Sequence, residues 1–394
     1  MNVDSERVDD ARDLTIEATG QSIRARCYHL PVGDKAGFDI YVNPEEADDA
    51  ITEAIVRHTY TFPESFWLMD ALLQPGQRVL DLGAHIGTFS LFAAALGYTV
   101  ASVEASPRNA ALLIASARRN AFDDMQVVPA AVSDHAGTLE FVYCGPYSFV
   151  ASESKESHSD LPTVSVPAVT ADGLLADTGW DGVDLVKMDV EGSEVAAIRG
   201  MPELLAGDDA PLLLYESNGS MLHRFGESPG SLMEALEAYG YHSYLVELGR
   251  LIPTQSTDLQ PDVCVDYLAT KRPLDRLGDW RVTAPMSDEE RVRRILLSSI
   301  HSNRNVRDYI ARALTDAEPS ILSDHRVLDA LKNLALDQDG DARIVELRQA
   351  LCEKEEEIAR LRAMVEGYER GRFIRTMKRL HHVWHRAKGW IEQL

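Results

Sequence analysis

The sequence predicts an α/β fold built on a doubly wound, mostly parallel sheet, followed by a helical region and a coiled coil. Three observations carry this. Short apolar runs alternate with helix-like stretches between residues 76 and 273, and a glycine turn follows the first of those runs. From residue 274 onward strand patterning gives way to helical spacing.

The 394 residues, 45% hydrophobic and 26% charged, have a globular composition and suffice for one large domain with appendages. Residues 1–75 mix alternating segments ("SIRARCYHL", "FDIYV") with a helix over "EEADDAITEAIVRH" and form a lead-in layer. Within 76–273, "RVLDL", "TVASVEA", "MQVVPAAV", "DLVKMDV" and "PLLLYES" read as strands, with helices such as "RNAALLIASARRNA" between them. "YHSYLVEL" and "DVCVDYLAT" read as closing strands, an antiparallel pair. Beyond them, "SDEERVRRILLSSI", "NVRDYIARAL" and "SDHRVLDALKNLAL" carry polar starts and apolar spacings of three or four, a separate helical region over 274–340.

A formal net charge of −24 argues against a nucleic-acid partner, because phosphate backbones are bound by clustered Lys and Arg. Cys27, Cys144, Cys264 and Cys352 lie far apart without a CxxC pair, so neither a disulfide framework nor a zinc knuckle is signalled. The start, "MNVDSERVDDARD", is acidic and lacks the apolar core of a secretion signal, and the most apolar stretch, "TFSLFAAALGYTVASV", is short for a membrane span. A cytoplasmic protein is expected.

Ligands of an open parallel sheet bind beyond the carboxyl ends of its strands. Acids recur there: Asp81 ends "RVLD", Glu104 ends "TVASVE", Asp134 follows "VVPAAVS", Asp189 ends "LVKMD" and Glu216 ends "LLLYE". A solvated strand end or a helix cap accounts for one such carboxylate; five on successive elements are expected to line one crevice. The first sits in "VLDLGAHIGTFS". That strand, turn and helix fail the dinucleotide fingerprint GxGxxG, since His85 stands at the second glycine, and no GxxxxGK[ST] loop occurs. What remains is a ligand with a ribose and no phosphate. Glu104 lies about 20 residues past the turn, where an acid accepts hydrogen bonds from both ribose hydroxyls. S-adenosylmethionine fits: the Gly83 to Gly87 turn can hold its amino-acid end, and a carboxylate-rich crevice suits its sulfonium. The candidate cofactor-binding residues are Asp81, Gly83, Ala84, His85, Gly87 and Thr88 at the first strand end, Glu104 and Ala105 at the second, and Ser133 and Asp134 at the third.

These residues carry a family resemblance. "VLDLGAHIGTFSLFAA", "VEASPRNAALLIASARRNAF", "VPAAVSDHAGTLEF" and "VDLVKMDVEGSEVAAIRGMPELL" resemble the FkbM family of S-adenosylmethionine-dependent O-methyltransferases over residues 75 to 220, with "KMDVEGSE" the most distinctive block. The resemblance implies a class I methyltransferase (Rossmann-like) fold and methyl transfer to a hydroxyl, on substrates that are often sugars of glycans, glycolipids or natural products. "TADGL" departs from the family's usual Leu-Asp pair, although Asp172 is kept, and the region after residue 275 lies outside the pattern.

Methyl transfer to oxygen is an in-line displacement that depends mainly on positioning, helped by a base near the hydroxyl. Asp189 and Glu216 are candidate bases, since burial and mutual repulsion raise a carboxyl pKa. Strand alternation puts Lys187 on the same face as Asp189, and pairing would make Asp189 an orienting group; both roles stay open. Magnesium held by Asp189 and Glu216 is a third reading, with no compact motif to fix it. Glu191 and Glu194 open the next helix, where acids suit the dipole; Glu191 stays a catalytic candidate with Asp189, Glu216 and Lys187, and Glu194 reads as helix-terminal.

At the chain end, Ile344, Leu347, Leu351, Ile358, Leu361, Val365 and Tyr368 fit a and d positions, broken by Lys354, and predict a coiled coil over 341–369 and a homo-oligomer. Over 370–394, Phe373, Met377, Leu380, Trp384, Ala387, Ile391 and Leu394 form an apolar stripe among seven basic residues and the single acid Glu392. Such a basic amphipathic helix reads as an anchor on an anionic membrane surface, here the inner face of the cytoplasmic membrane. His381 and His385 share a face without a nearby acid or cysteine and are read as interfacial, not as metal ligands. The expected function is O-methylation of a sugar hydroxyl in a bacterial surface glycan or glycolipid. The alternatives are methylation of a soluble secondary metabolite and a non-catalytic oligomeric scaffold on the same fold.

Overall fold

The computed structural model describes residues 13–18, 21–46, 49–142, 149–150, 163–207, 209–258, 264–274 and 277–286. The helices expected after residue 286, the coiled coil over 341–369, the basic helix over 370–394, His381, His385, Cys144 and Cys352 lie outside the described residues.

Strands β1 (Asp13–Ala18), β2 (Gln21–Val32) and β3 (Lys35–Val42) form an antiparallel sheet in that order. Helices α1 (Ala50–Val56) and α2 (Glu64–Leu72) follow; α1 is shorter than expected because Asp49 caps it, accepting from Ile51 N and Thr52 N. Next come β4 (Arg78–Leu82), α3 (Thr88–Ala95), β5 (Thr99–Glu104), α4 (Pro107–Arg119) and β6 (Gln126–Pro129), then β7 (Ala131–Val132), β8 (Gly137–Val142), β9 (Phe149–Val150) and β10 (Thr163–Val169). The chain continues through α5 (Ala171–Thr178), β11 (Leu185–Met188), α6 (Glu194–Arg199), α7 (Pro202–Ala206), β12 (Leu212–Ser217), α8 (Gly219–Leu222) and α9 (Pro229–Glu237), and ends in β13 (His242–Glu247), β14 (Arg250–Thr254), β15 (Val265–Thr270) and β16 (Arg281–Val282).

The main sheet has the order β16-β14-β13-β15-β12-β11-β4-β5-β6. β6, β5, β4, β11 and β12 are parallel neighbours, and β15 lies antiparallel between β12 and β13, so the sheet is mixed. β4 has β5 on one side and β11 on the other, which makes the gap beyond the ends of β4 and β11 the switch point where a ligand crevice forms. The closing strands expected from sequence are the antiparallel pair β13 and β15.

Strand alternation divides the core in two. Val79, Val100, Leu185, Leu214 and Leu268 face one way, onto α2, α3, α4 and the amino-terminal sheet. Leu80, Leu82, Val186, Met188, Leu213 and Tyr215 face the other way, onto α5, α6 and α9. The lead-in layer is therefore part of the core. Its β3 meets α4 through side chains: Asn120 Oδ1 accepts from Asp39 N at 2.7 Å and Ser116 Oγ from Tyr41 N at 2.9 Å, which satisfies an otherwise open strand edge.

Two expectations are corrected. "MQVVPAAV" is not one strand: at Ala130, whose N–H donates to the Glu104 carbonyl, the chain leaves the main sheet, and β7 joins β10, β8 and β9 in a second, four-stranded sheet. The sheet also passes the expected boundary at residue 273, because β16 pairs with the edge strand β14.

Candidate functional site

The glycine turn and the "DVEGSE" turn are built against each other. Asp189 N donates to Leu82 O at 3.0 Å, and a Cβ on Gly83, whose φ is +82°, would stand 1.8 Å from the Asp189 carbonyl oxygen. Only glycine permits that approach. The second turn reverses through Glu191 and Gly192, at φ of +52° and +100°, and Glu194 Oε1 closes it by accepting from Val190 N at 3.1 Å and Gly192 N at 3.2 Å.

A cavity of about 590 Å³ opens at these turns. The glycine turn and the end of β5 contribute Gly83, His85, Glu104 and Ala105, and α4 contributes Asn109. The second sheet adds Ala131, Val132 and Phe141; the amino-terminal layer adds Asp49, Ala50 and Ile51. Asp189, Glu191 and Ser193 enter from the second turn, and Glu216, Asn218 and Cys264 from beyond β12 and before β15.

Glu104 is 7% exposed and held by two backbone donors, His85 N on Oε2 and Ser106 N on Oε1, each at 2.8 Å. Burial raises its pKa against the pull of His85 and these donors. His85 is held at φ +53° with Nε2 3.7 Å from Asp49 Oδ2, and its buried Nδ1 has no partner within the protein.

The other acids share one face of the sheet, where Lys187 pairs in register with Asp81 and Glu216 with Asp266. Lys187 Nζ donates to Asp189 Oδ2 at 2.9 Å and lies 3.8 Å from Asp81 Oδ1. Burial opposes its charge, but the carboxylates of Asp189 and Asp81 outweigh this and hold its pKa above the ordinary value. Burial pushes Glu191 up to about 8, reinforced by Asp189 and Glu194, and Glu191 Oε2 has no partner within the protein. Glu216 is raised by burial and by Asp189, and shares a hydrogen bond with Cys264.

Of the residues read from the sequence, Gly83, His85, Glu104, Ala105, Asp189, Glu191 and Glu216 line the cavity. The other six candidate cofactor residues and Lys187 do not. Asp81 is fully buried beneath it, accepting from Ser90 Oγ. Thr88 is engaged by Tyr60 of the lead-in layer. Ala84 and Gly87 are packed inward, a Cβ on Gly87 meeting Leu113 at 2.0 Å. Asp134 turns outward to His135, and Ser133 sits beside it, bound to Val169 O through its N–H. Asp172 has a structural role: it accepts from Glu203 N and Leu204 N at the start of α7.

A magnesium ion between Asp189 and Glu216 does not fit this donor set, because the Lys187 ammonium already neutralises Asp189. Among the described residues no group of three or more His, Cys, Asp or Glu is placed to hold a metal ion.

Residues 81–243, which contain both turns and Glu104, match the family model described as Methyltransferase FkbM domain. This segment is an FkbM methyltransferase domain. No curated protein matches the chain. Among solved structures it is similar to a precorrin-6y C5,15-methyltransferase from Geobacter metallireducens, at 14% identity over 54% of this chain and 90% of that one, with a TM-score of 0.31. It is also similar to a TehB-like SAM-dependent methyltransferase from Corynebacterium glutamicum, at 14% identity over 58% of this chain and 100% of that one, with a TM-score of 0.35.

Several lining residues of the FkbM domain and its surroundings were missed by sequence reasoning: Asn109, Ser193, Asn218, Cys264, Phe141 and Asp49. Ser193 and Asn218 carried a signal, since each follows a strand-end acid within a few positions. Asp49 and Cys264 come from segments distant in sequence and carried none.

Proposed function

We propose that the protein is an S-adenosylmethionine-dependent O-methyltransferase acting on a sugar hydroxyl of a bacterial surface glycan or glycolipid. The observation that carries this reading is the buried Glu104 beside a 590 Å³ cavity at the switch point of the sheet, within a methyltransferase domain. That volume lies in the range of small-molecule sites.

The residues fit the cofactor. Two backbone donors fix the Glu104 carboxylate and leave lone pairs for ribose hydroxyls, and the orphaned His85 Nδ1 offers a further polar contact. When bound, the cofactor supplies an electrophilic methyl group on a sulfonium. Asp189, anchored by Lys187, orients the acceptor hydroxyl. The same carboxylate is placed to accept the hydroxyl proton. Phe141 and the β7 residues limit water around the transfer.

The glycan or glycolipid acceptor, the homo-oligomer through 341–369 and the anionic-membrane contact through 370–394 belong to the same reading and rest on the sequence pattern of those segments. Among the described residues no helix is long and apolar enough to cross a membrane. The test is incubation of the full-length protein with methyl-labelled S-adenosylmethionine and bacterial surface-glycan and glycolipid fractions. Label in an alkali-stable ether on a sugar supports the reading, and label confined to soluble metabolites contradicts it.

A further inference from the structure

Resting on the methyltransferase reading, we infer that the acceptor carries a protonated amine beside the hydroxyl to be methylated, received by the carboxyls of Glu191 and Glu216. The first support is charge. Asp49, Glu104, Asp189, Glu191 and Glu216 all line the cavity, and among the described residues no Lys or Arg does. Lys187 lies behind the wall, already shared between Asp189 and Asp81.

The second support is hydrogen bonding. Asp49 is committed to the first N–H groups of α1, and Glu104 to His85 and Ser106. Glu191 Oε2 and Ser193 Oγ are different: both are buried, both belong to lining residues, and neither has a partner within the protein. Ser193 is only 5% exposed. Buried polar atoms without partners are costly, and a ligand that supplies donors removes that cost. An ammonium brings three donors and a positive charge. A neutral hydroxyl brings one donor and no compensating charge, and a phosphate adds negative charge beside the acids. On that reading the cofactor's own charged end lies at Gly83 and His85, the part of the glycine turn that lines the cavity, so Glu191, Ser193, Glu216 and Asn218 are left to the acceptor.

The neighbours of these carboxyls are mainly acidic. Glu191 faces Asp189, Glu194, Lys187 and Arg224; Glu216 faces Asp189, Cys264, Glu191 and Asp266. Both titrate above the ordinary carboxylate range, Glu191 at about 8, and an incoming cation draws them back down. Amine binding near neutral pH therefore releases protons.

The test uses three sugars that differ only at carbon 6: 6-amino-6-deoxyglucose, glucose and glucose 6-phosphate. Each is titrated into the full-length protein saturated with S-adenosylhomocysteine at about pH 7.5, where the amine is cationic and Glu191 is near its titration range. The expected order of affinity is amine, then neutral sugar, then phosphate, with the amine about tenfold or more tighter than glucose and its binding accompanied by proton release. Glu216→Gln should narrow the gap between amine and glucose without changing affinity for S-adenosylhomocysteine. Equal affinities, a preference for the phosphate, or no binding of any sugar would overturn the inference while leaving the methyltransferase reading intact. Failure of S-adenosylhomocysteine to bind would remove that reading and this inference with it.

Discussion

Glu104 ends β5 and Asp189 directly follows β11, yet their surroundings differ. Glu104 is almost wholly buried and fixed by two backbone donors, an arrangement suited to holding a neutral diol. Removing a charge-assisted pair of hydrogen bonds costs about 1.5 to 3 kcal/mol, so Glu104→Ala should weaken S-adenosylhomocysteine binding about tenfold or more in calorimetry. Unchanged affinity would remove the ribose assignment. Asp189 is half-buried and bridged to Lys187, at the opening between the two turns. Asp189→Asn keeps the shape and removes the charge, so turnover should fall much more than cofactor affinity. A fully active variant would place the chemistry on another residue.

At the scale of elements, the site depends on two turns that exclude alternatives sterically. An alanine at position 83 would put its Cβ against the Asp189 carbonyl at a backbone angle that side chains resist. Gly83→Ala should therefore lower stability by about 1 to 3 kcal/mol, read as a lower thermal midpoint, and weaken cofactor binding. A wild-type midpoint would contradict the packing described. Glu194 closes the second turn from a position where burial pushes it up to about 7, against backbone donors that favour its charge. The folded protein thus holds this proton more tightly than the unfolded chain, whose carboxyl titrates near 4.5. Its contribution to stability is full below about 4.5 and is lost as pH rises through about 7. Glu194→Gln keeps the acceptor and removes the titration, so urea midpoints across that window should fall less steeply than in the wild type. An unchanged slope would show that Glu194 is not buried as described.

These elements also show what a sequence discloses. The glycine turn, Glu104 and the "DVEGSE" run are legible because each lies within a few residues of a strand end whose apolar run marks it. The second sheet is not, since "QVVPAAV" has continuous strand character and only the capture of Ala130 N by the Glu104 carbonyl divides it. Asp134 illustrates the same limit: its position after a strand resembles that of Asp189, but it follows β7 in the second sheet and turns away to His135.

For the whole molecule, one face of the mixed sheet carries a row of charged groups that solvent would otherwise reach. The amino-terminal layer covers it, with Ser65 bonded to Asp266 and Tyr60 to Thr88, and adds Asp49 to Ile51 to the cavity wall. If residues 370–394 bind anionic lipid, the full-length protein should float with anionic liposomes in a salt-sensitive manner and a variant ending near residue 369 should not. Equal behaviour of the two would rule out the anchor. If S-adenosylmethionine occupies the cavity between the glycine turn and the "DVEGSE" turn, a crystal structure of the full-length protein with S-adenosylhomocysteine will show it there. The ribose should lie at Glu104 with the sulfur facing Asp189 and Glu191; a ligand bound elsewhere, or a Glu104 carboxylate that does not touch it, would overturn this placement.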